Sequence, residues 1–282
     1  MMQYMNPDVL GLRAAHWGET SPSLTTRRTE AAVYDRRKFL SKALAAGTAA
    51  VVSPIVAARA AAEESKTSDG KGVVVSTSKL TAPSKGGIGV AVVVSEGATV
   101  IDFAGPWDVF GSVMIPERGP DMADQMPFHL FMVSEKTEPV KVENGMKVIP
   151  DYTFANVPSC QVVVVPAQQG SKELESWLRK IAPVADVTMS VCVGANQLAN
   201  AGLLNGKSAT THPDHYEHFA KEFPQVDLKR GVRFVENEKI STSGGETCGI
   251  DLSLRVVERY FGRAVAARTA VFIEHQGKGW MV

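Results

Sequence analysis

The chain has 282 residues, of which 44% are hydrophobic and 21% are charged, a balance typical of a globular protein with room for one large core or two small ones. Thirty Lys and Arg residues equal 30 Asp and Glu residues, so the basic surplus of a nucleic-acid-binding protein is missing and we expect no nucleic-acid partner. The three cysteines, Cys160, Cys192 and Cys248, form no CxxC pair, which argues against a cysteine-based zinc site.

Residues 1–62 are predicted to be an N-terminal extension that ends in an export signal. The run Arg36-Arg37-Lys38-Phe39-Leu40 precedes an Ala-rich, moderately apolar stretch, Ala43 to Ala58, with small-residue cleavage options at 58–60 and 60–62. This order resembles a twin-arginine signal peptide, which implies the twin-arginine export machinery as a partner and a periplasmic location. The alternative is an uncleaved signal that anchors the protein in the membrane, although Pro54 and the many alanines disfavour a spanning helix.

Residues 63–86 are rich in Ser, Lys, Thr and Gly, a composition typical of a flexible, solvated linker. The folded domain is therefore predicted to occupy residues 87–282. No second domain, internal repeat or phosphate-binding glycine signature is evident in it.

Strand-like and helix-like segments alternate along this domain. Continuous β-branched or apolar runs predict buried parallel strands over 88–95, 128–134, 161–165 and 186–191, with a further strand or hairpin over 232–241. Helical spacing of apolar residues predicts helices over 101–113, 172–181, 195–204, 213–223, 250–261 and 264–274. This alternation predicts an α/β three-layer sandwich with a mostly parallel central sheet.

Ligands bind such sheets at the carboxyl ends of the strands, near the topological switch point. Three segments are expected to meet there: the loop that leads to Asp102, the loop 166–170, and the turn that carries Cys192. The loop 241–249 is expected to close the pocket beside them.

Cys192 lies where the hydrophobic pattern changes from strand to helix. A side chain on such a turn projects above the sheet edge, and the N–H groups that open the following helix favour negative charge, so the pattern predicts a reactive thiolate. The alternative is a buried cysteine that acts as a small hydrophobic residue.

Four stretches together resemble the DJ-1/PfpI superfamily, in particular the branch that contains isonitrile hydratase and the amidase-like domains of AraC-type regulators. They are residues 100–110 (VIDFAGPWDVF), the turn 189–199 (MSVCVGANQLA), residues 201–212 (AGLLNGKSATTH) and residues 249–254 (GIDLSL). The resemblance runs from about residue 87 to 275. It implies a flavodoxin-like fold of the class I glutamine amidotransferase type and a small-molecule substrate, with no cofactor. It also implies a homodimer.

The resemblance further implies that Cys192 is the nucleophile and Asp102 the acid/base group beside it. The reaction implied is attack of the sulfur on the terminal carbon of an isonitrile, protonation, and addition of water to give an N-substituted formamide. Val193, Gly194, Ala167, Gln168, His212 and Thr247 are expected to line the substrate pocket.

The sequence departs from the family pattern at two places. Val193 follows the cysteine where isonitrile hydratases have threonine, which removes a hydroxyl group, and the family's glycine-rich loop is here Ala167-Gln168-Gln169-Gly170. The second hypothesis is therefore a non-catalytic binding or redox-sensing member of the same fold. Peptidase-type members place histidine after the cysteine, so Val193 also argues against proteolysis.

Two further groups of residues have alternative interpretations. Cys248 is a potential redox partner of Cys192 or simply a small residue at a helix start. His212, His215 and His218 are interpreted as surface or capping residues rather than metal ligands, so no metal is expected. A DNA-binding regulator is disfavoured, because few residues follow 275 and an exported protein does not meet the chromosome.

Overall fold

The computed structural model describes residues 74–83 and 87–282. The eleven strands of this part are β1 (Ile88–Val93), β2 (Phe128–Ser134), β3 (Val140–Lys141), β4 (Lys147–Val148), β5 (Tyr152–Thr153), β6 (Val162–Val165), β7 (Val187–Ser190), β8 (Ser208–Ala209), β9 (Asp227–Leu228), β10 (Phe234–Asn237) and β11 (Ile240–Ser243). The seven α-helices of this part are α1 (Val100–Gly111), α2 (Met122–Gln125), α3 (Lys172–Ile181), α4 (Ala195–Asn200), α5 (Tyr216–Glu222), α6 (Cys248–Phe261) and α7 (Arg263–Phe272).

Seven strands form one central sheet in the order β10-β11-β7-β6-β1-β2-β5. All neighbouring pairs are parallel except the β10–β11 hairpin. The chain runs outward from β1 through β2 to β5, then returns to β6 on the other side of β1. The switch point therefore lies between β1 and β6, and the four adjacent parallel strands β1, β6, β7 and β11 end at the same edge.

Helices cover both faces of the sheet, as alternating side chains on the strands require. One face of β1, with Val90 and Val92, packs with α1, α6 and α7. The opposite face, with Ala91 and Val93, packs with α3, α4 and α5. These three layers confirm the predicted α/β sandwich with a mostly parallel sheet.

The main segments follow the sequence pattern, and the differences lie mostly at their ends. The helix predicted over 195–204 ends at Asn200, because Gly202 takes a left-handed conformation (φ 76°) and turns the chain. The segment predicted over 213–223 begins as a 3₁₀ turn at Pro213–His215 before α5. The two-residue strands β3, β4, β5, β8 and β9 were not predicted, since so short a run carries no periodicity.

Residues 74–83 lie within the predicted linker, yet they pack against the domain. Ser76 is only 8% exposed, and its carbonyl oxygen accepts a hydrogen bond from Arg255 Nη2 (3.3 Å). Arg255 also binds Glu236 Oε2 (3.1 Å), and Arg259 Nε donates to the carbonyl oxygen of Ser78 (3.1 Å). The composition of this stretch is that of a linker, but buried arginines on α6 hold it in place. For these ten residues the linker prediction is corrected.

The predicted signal peptide and residues 63–73 and 84–86 of the predicted linker fall outside the described residues. Within 74–83 and 87–282, no helix combines the length and hydrophobicity needed to cross a bilayer.

Candidate functional site

Cys192 lies directly after β7 in a strained backbone conformation. Its φ of 59° is left-handed, a region that a non-glycine residue rarely adopts, and it opens the 3₁₀ turn Cys192–Gly194 that leads into α4. Its N–H donates to the carbonyl oxygen of Gly244 (2.9 Å), and its side chain is partly exposed. The structure thus has the sharp strand-to-helix turn that presents a nucleophile in α/β enzymes.

Two neighbours hold this turn. Gly194 packs so closely against the end of β6 that a Cβ there would collide with the carbonyl oxygens of Val165 and Pro166. Thr211 Oγ1 donates a hydrogen bond to the carbonyl oxygen of Cys192 (3.1 Å). Gly194 was expected at the site from the sequence, whereas Thr211 was not, although Thr211 lies within the Thr-Thr-His stretch that carries the resemblance.

Asp102 lies in the first turn of α1, after β1, and is completely buried. Its Oδ2 accepts a hydrogen bond from the N–H of Ala167 (3.1 Å), while its buried Oδ1 has no hydrogen-bond partner in the part of the chain that the structure describes. Burial raises the pKa of Asp102 to about 6, and the N–H of Ala167 opposes that rise. At neutral pH the group is therefore mostly ionised but close to accepting a proton.

The Cys192 thiol is harder to ionise than the sequence analysis predicted. Burial first, and then the negative charge of Asp102, raise the pKa of Cys192 to about 12, and the N–H of Val193 opposes this rise. The prediction relied on the N-terminus of a following helix, but α4 has only six residues, so its dipole is small. In the resting site the sulfur is a thiol beside a carboxylate, and the prediction of a ready thiolate was wrong.

The loop after β11 adds a second carboxylate that sequence analysis missed. Glu246 has a left-handed φ of 52°, and its N–H faces both the Asp102 carboxylate and the Cys192 sulfur. Its own charge raises the pKa of both groups. Glu143 adds charge from the turn between β3 and β4, where its Oε2 accepts a hydrogen bond from the N–H of Val100 (3.3 Å). No sequence motif marks either glutamate, because their proximity to Asp102 depends on tertiary packing.

Ala167 and Gln168 lie at the end of β6 as expected, but Gln168 has a structural contact of its own. Its Oε1 accepts a hydrogen bond from the N–H of Ser95 (2.7 Å), and its carbonyl oxygen accepts one from Gln197 Nε2 (3.3 Å). The side chain therefore ties the loop after β6 to the end of β1.

The remaining predicted residues lie around the loop 244–249. His212 packs against Gly245, and its Nδ1 accepts a hydrogen bond from the N–H of Asp214 (3.2 Å). Thr247 is exposed, and its hydroxyl accepts from Arg233 Nη2 (3.4 Å). Cys248 opens α6, and its sulfur contacts Gly244, the residue that also binds the backbone of Cys192.

Both Cys192 and Cys248 are free thiols. Among the residues that the structure describes, no group of three or more His, Cys, Asp and Glu side chains is arranged to hold a metal ion.

Comparison with known proteins agrees with this architecture. Residues 89–259 match the model of the DJ-1/PfpI family. Isonitrile hydratase from Pseudomonas putida is 29% identical over 181 residues, which cover 62% of this chain and 73% of that protein. The HTH-type transcriptional regulator CdhR from Pseudomonas aeruginosa is 28% identical, over 52% of this chain and only 45% of the regulator.

Solved structures show the same fold. A THiJ/PfpI family protein from Pseudomonas syringae superimposes with a TM-score of 0.57 at 25% identity, covering 70% of this chain and 78% of that chain. Drosophila melanogaster DJ-1beta superimposes with a TM-score of 0.56 at 19% identity, covering 67% and 98% of the two chains. Since the family model spans well over half of the chain and the fold agrees, the chain belongs to the DJ-1/PfpI family.

Proposed function

We propose that this protein is an enzyme that uses Cys192 to add water to a small molecule, with isonitrile hydration as the nearest named reaction. The observation that carries the proposal is the strained backbone of Cys192 at the end of β7, with the buried carboxyl group of Asp102 beside its sulfur. Strain of this kind costs free energy and persists at functional sites. The similarity to isonitrile hydratase supports the choice of reaction.

The proton positions in the site fit the first step. Asp102, with its pKa of about 6, is mostly ionised at pH 7, and Cys192 keeps its proton because its pKa is about 12. Asp102 accepts the thiol proton as the sulfur attacks the terminal carbon of the isonitrile, and then delivers the proton to that carbon. The S–H bond breaks, the S–C and C–H bonds form, and a thioimidate results.

Water completes the reaction. Its oxygen adds to the thioimidate carbon while the nitrogen takes a proton, and the S–C bond then breaks with return of a proton to the sulfur. The products are an N-substituted formamide and the original thiol, so the net change is the addition of one water molecule. Asp102 thus moves the thiol proton to carbon in the first step, and in the last step it takes the proton of the new hydroxyl group and gives it to the departing sulfur.

Turnover of simple alkyl and aryl isonitriles, followed by formamide formation, tests this proposal. We expect activity in the wild type and in Cys160→Ala, a matched control whose cysteine is buried away from the site, and none in Cys192→Ala. Asp102→Asn is expected to lower kcat by about 10²-fold or more, the contribution of a positioned base. Equal activity in the wild type and Cys192→Ala would refute the proposal.

One observation favours the second candidate, a binding or redox-responsive protein. Cys192 and Cys248 both contact Gly244, and both are partly exposed thiols. A disulfide between them requires closely spaced Cα atoms. Thiol counting after mild oxidation distinguishes the candidates: loss of two thiols, with no hydratase activity at any stage, would favour redox sensing. A constant count of three free thiols would exclude a disulfide between Cys192 and Cys248.

We also propose that the domain acts in the periplasm after twin-arginine export, on the strength of the Arg36-Arg37 signal pattern. Replacement of both arginines by lysine is expected to keep the folded protein in the cytoplasm. Recovery of the wild type in the membrane fraction would favour the anchored alternative, and an unchanged distribution of the variant would refute the route. The expected homodimer is tested by light scattering.

A further inference from the structure

The loop 244–247 brings an exposed glutamate to the reacting groups. Gly244 binds the backbone of Cys192, and Gly245 packs against the ring of His212, so the loop is fixed on both sides. Glu246 follows in its left-handed conformation, and its carbonyl oxygen accepts a hydrogen bond from the N–H of Gly249 (3.0 Å). These contacts leave the side chain exposed at the edge of the site.

The charge of Glu246 is not compensated by a neighbour. Among residues 74–83 and 87–282, no Lys, Arg or His nitrogen lies within 4 Å of its carboxylate. Arg233, which directly precedes β10, forms an ion pair with Asp251. His275 Nε2 binds the other carboxylate oxygen of Asp251 (2.8 Å). The second acidic group in this loop–helix segment is thus neutralised, whereas Glu246 is not.

Two further carboxylates reinforce this charge. Asp102 acts on the Cys192 sulfur together with Glu246, and Glu143, which accepts a hydrogen bond from the N–H of Val100, adds negative charge close to Asp102. A site flanked by charges of one sign attracts ligands of the opposite sign and repels those of its own.

We propose that Glu246 is a specificity-determining residue that makes the Cys192 pocket select small molecules carrying a positive charge, such as an ammonium group, over anionic ones. This inference deepens the proposed function by naming a ligand class for the same site. The carboxylate at the rim binds the cationic end of the ligand, while the reacting atom lies at the sulfur.

Charged thiol reagents test the inference without relying on turnover. The cysteine sulfur attacks the sulfenyl sulfur of a methanethiosulfonate, so the alkylthio group is transferred to the cysteine as a mixed disulfide and methanesulfinate is released. The rate at Cys192 is measured by peptide mass spectrometry with a trimethylammonioethyl reagent and with a sulfonatoethyl reagent. The ratio of the two rates reports the local charge, and comparison between variants cancels the intrinsic reactivity of each reagent.

The expected result is a rate ratio that favours the cation in the wild type and falls about tenfold in Glu246→Gln, because one unit charge at about 6 Å in a water-like dielectric changes the rate of each reagent about threefold, in opposite directions. Addition of 0.5 M salt should shrink the wild-type ratio. Glu238→Gln is the matched control, because Glu238 is also exposed and left-handed (φ 47°) but lies in the β10–β11 turn at the other end of β11. It should leave the ratio unchanged.

A ratio in Glu246→Gln within twofold of the wild type would overturn the inference, as would an equal fall in Glu238→Gln. The outcome is independent of hydratase activity. If isonitriles are not turned over but the ratio falls as expected, the hydration proposal fails while the charge selectivity stands. If isonitriles are turned over, kcat/KM should be higher for an isonitrile that carries an ammonium group than for one that carries a carboxylate. The ratio of these two kcat/KM values should be smaller in Glu246→Gln than in the wild type.

Discussion

Asp102→Asn is expected to stabilise the fold at neutral pH while it impairs catalysis. The wild-type carboxyl group is completely buried, and burial raises its pKa from 3.8 to about 6. A change of that size corresponds to about 3 kcal/mol between the protonated and ionised forms. Asparagine keeps the oxygen that accepts from the N–H of Ala167 but carries no charge, so it avoids this cost.

The sign of the effect fixes its pH window. A carboxyl group whose pKa is higher in the folded state than in the unfolded state binds its proton more tightly when the protein is folded. The resulting contribution to the free energy of unfolding is complete below about pH 4 and is lost as pH rises through about 6. The free energy of unfolding of Asp102→Asn relative to wild type should therefore increase by up to about 3 kcal/mol between pH 4 and pH 8.

Urea denaturation of both proteins at several pH values measures this difference. Asp108→Asn is the control, since it removes the same charge from the same helix at a residue that is exposed to solvent rather than buried. If the difference in free energy of unfolding between Asp102→Asn and wild type does not change with pH, the conclusion that the buried Asp102 carboxylate destabilises the fold is refuted. A difference that decreased from pH 4 to pH 8 would show that the carboxylate is stabilised rather than penalised in the fold.

Three further predictions concern two residues that hold the Cys192 turn and one buried ion pair between α6 and β10. Thr211→Val removes the hydroxyl that binds the Cys192 carbonyl oxygen and should cost about 1 kcal/mol in urea denaturation, with Thr211→Ser close to wild type; equal loss in both would refute a hydrogen-bond role. Gly194→Ala forces a Cβ against the end of β6 and should lower stability by about 1–3 kcal/mol and slow Cys192 modification, and wild-type values for both would contradict the packing. Arg255→Met leaves the buried Glu236 short of a partner and should cost about 3 kcal/mol, partly recovered by adding Glu236→Gln; no recovery would refute the ion-pair explanation.

The sequence pattern was sufficient for the long elements and for the position of the nucleophile. The β-branched runs, such as 88–93 and 162–165, are long enough to mark buried strands, and the change of period at Cys192 marks the elbow. The protonation state of Cys192 was predicted wrongly, because it depends on burial and on a charge brought in from another strand end. Residues 74–83 were assigned to a linker for a similar reason, since composition does not report the arginines that bind them.

The sequence by itself determined the fold class, the family and the two residues proposed for the chemistry, because strand and helix periods and short motifs are local properties of the chain. Only the tertiary structure decided that Thr211, Glu143 and Glu246 join Cys192 and Asp102, since these five residues are spread over about 145 positions and meet where four parallel strands end. Electrostatic effects depend on distance through space and on burial, and neither quantity is encoded in the spacing of residues along the chain.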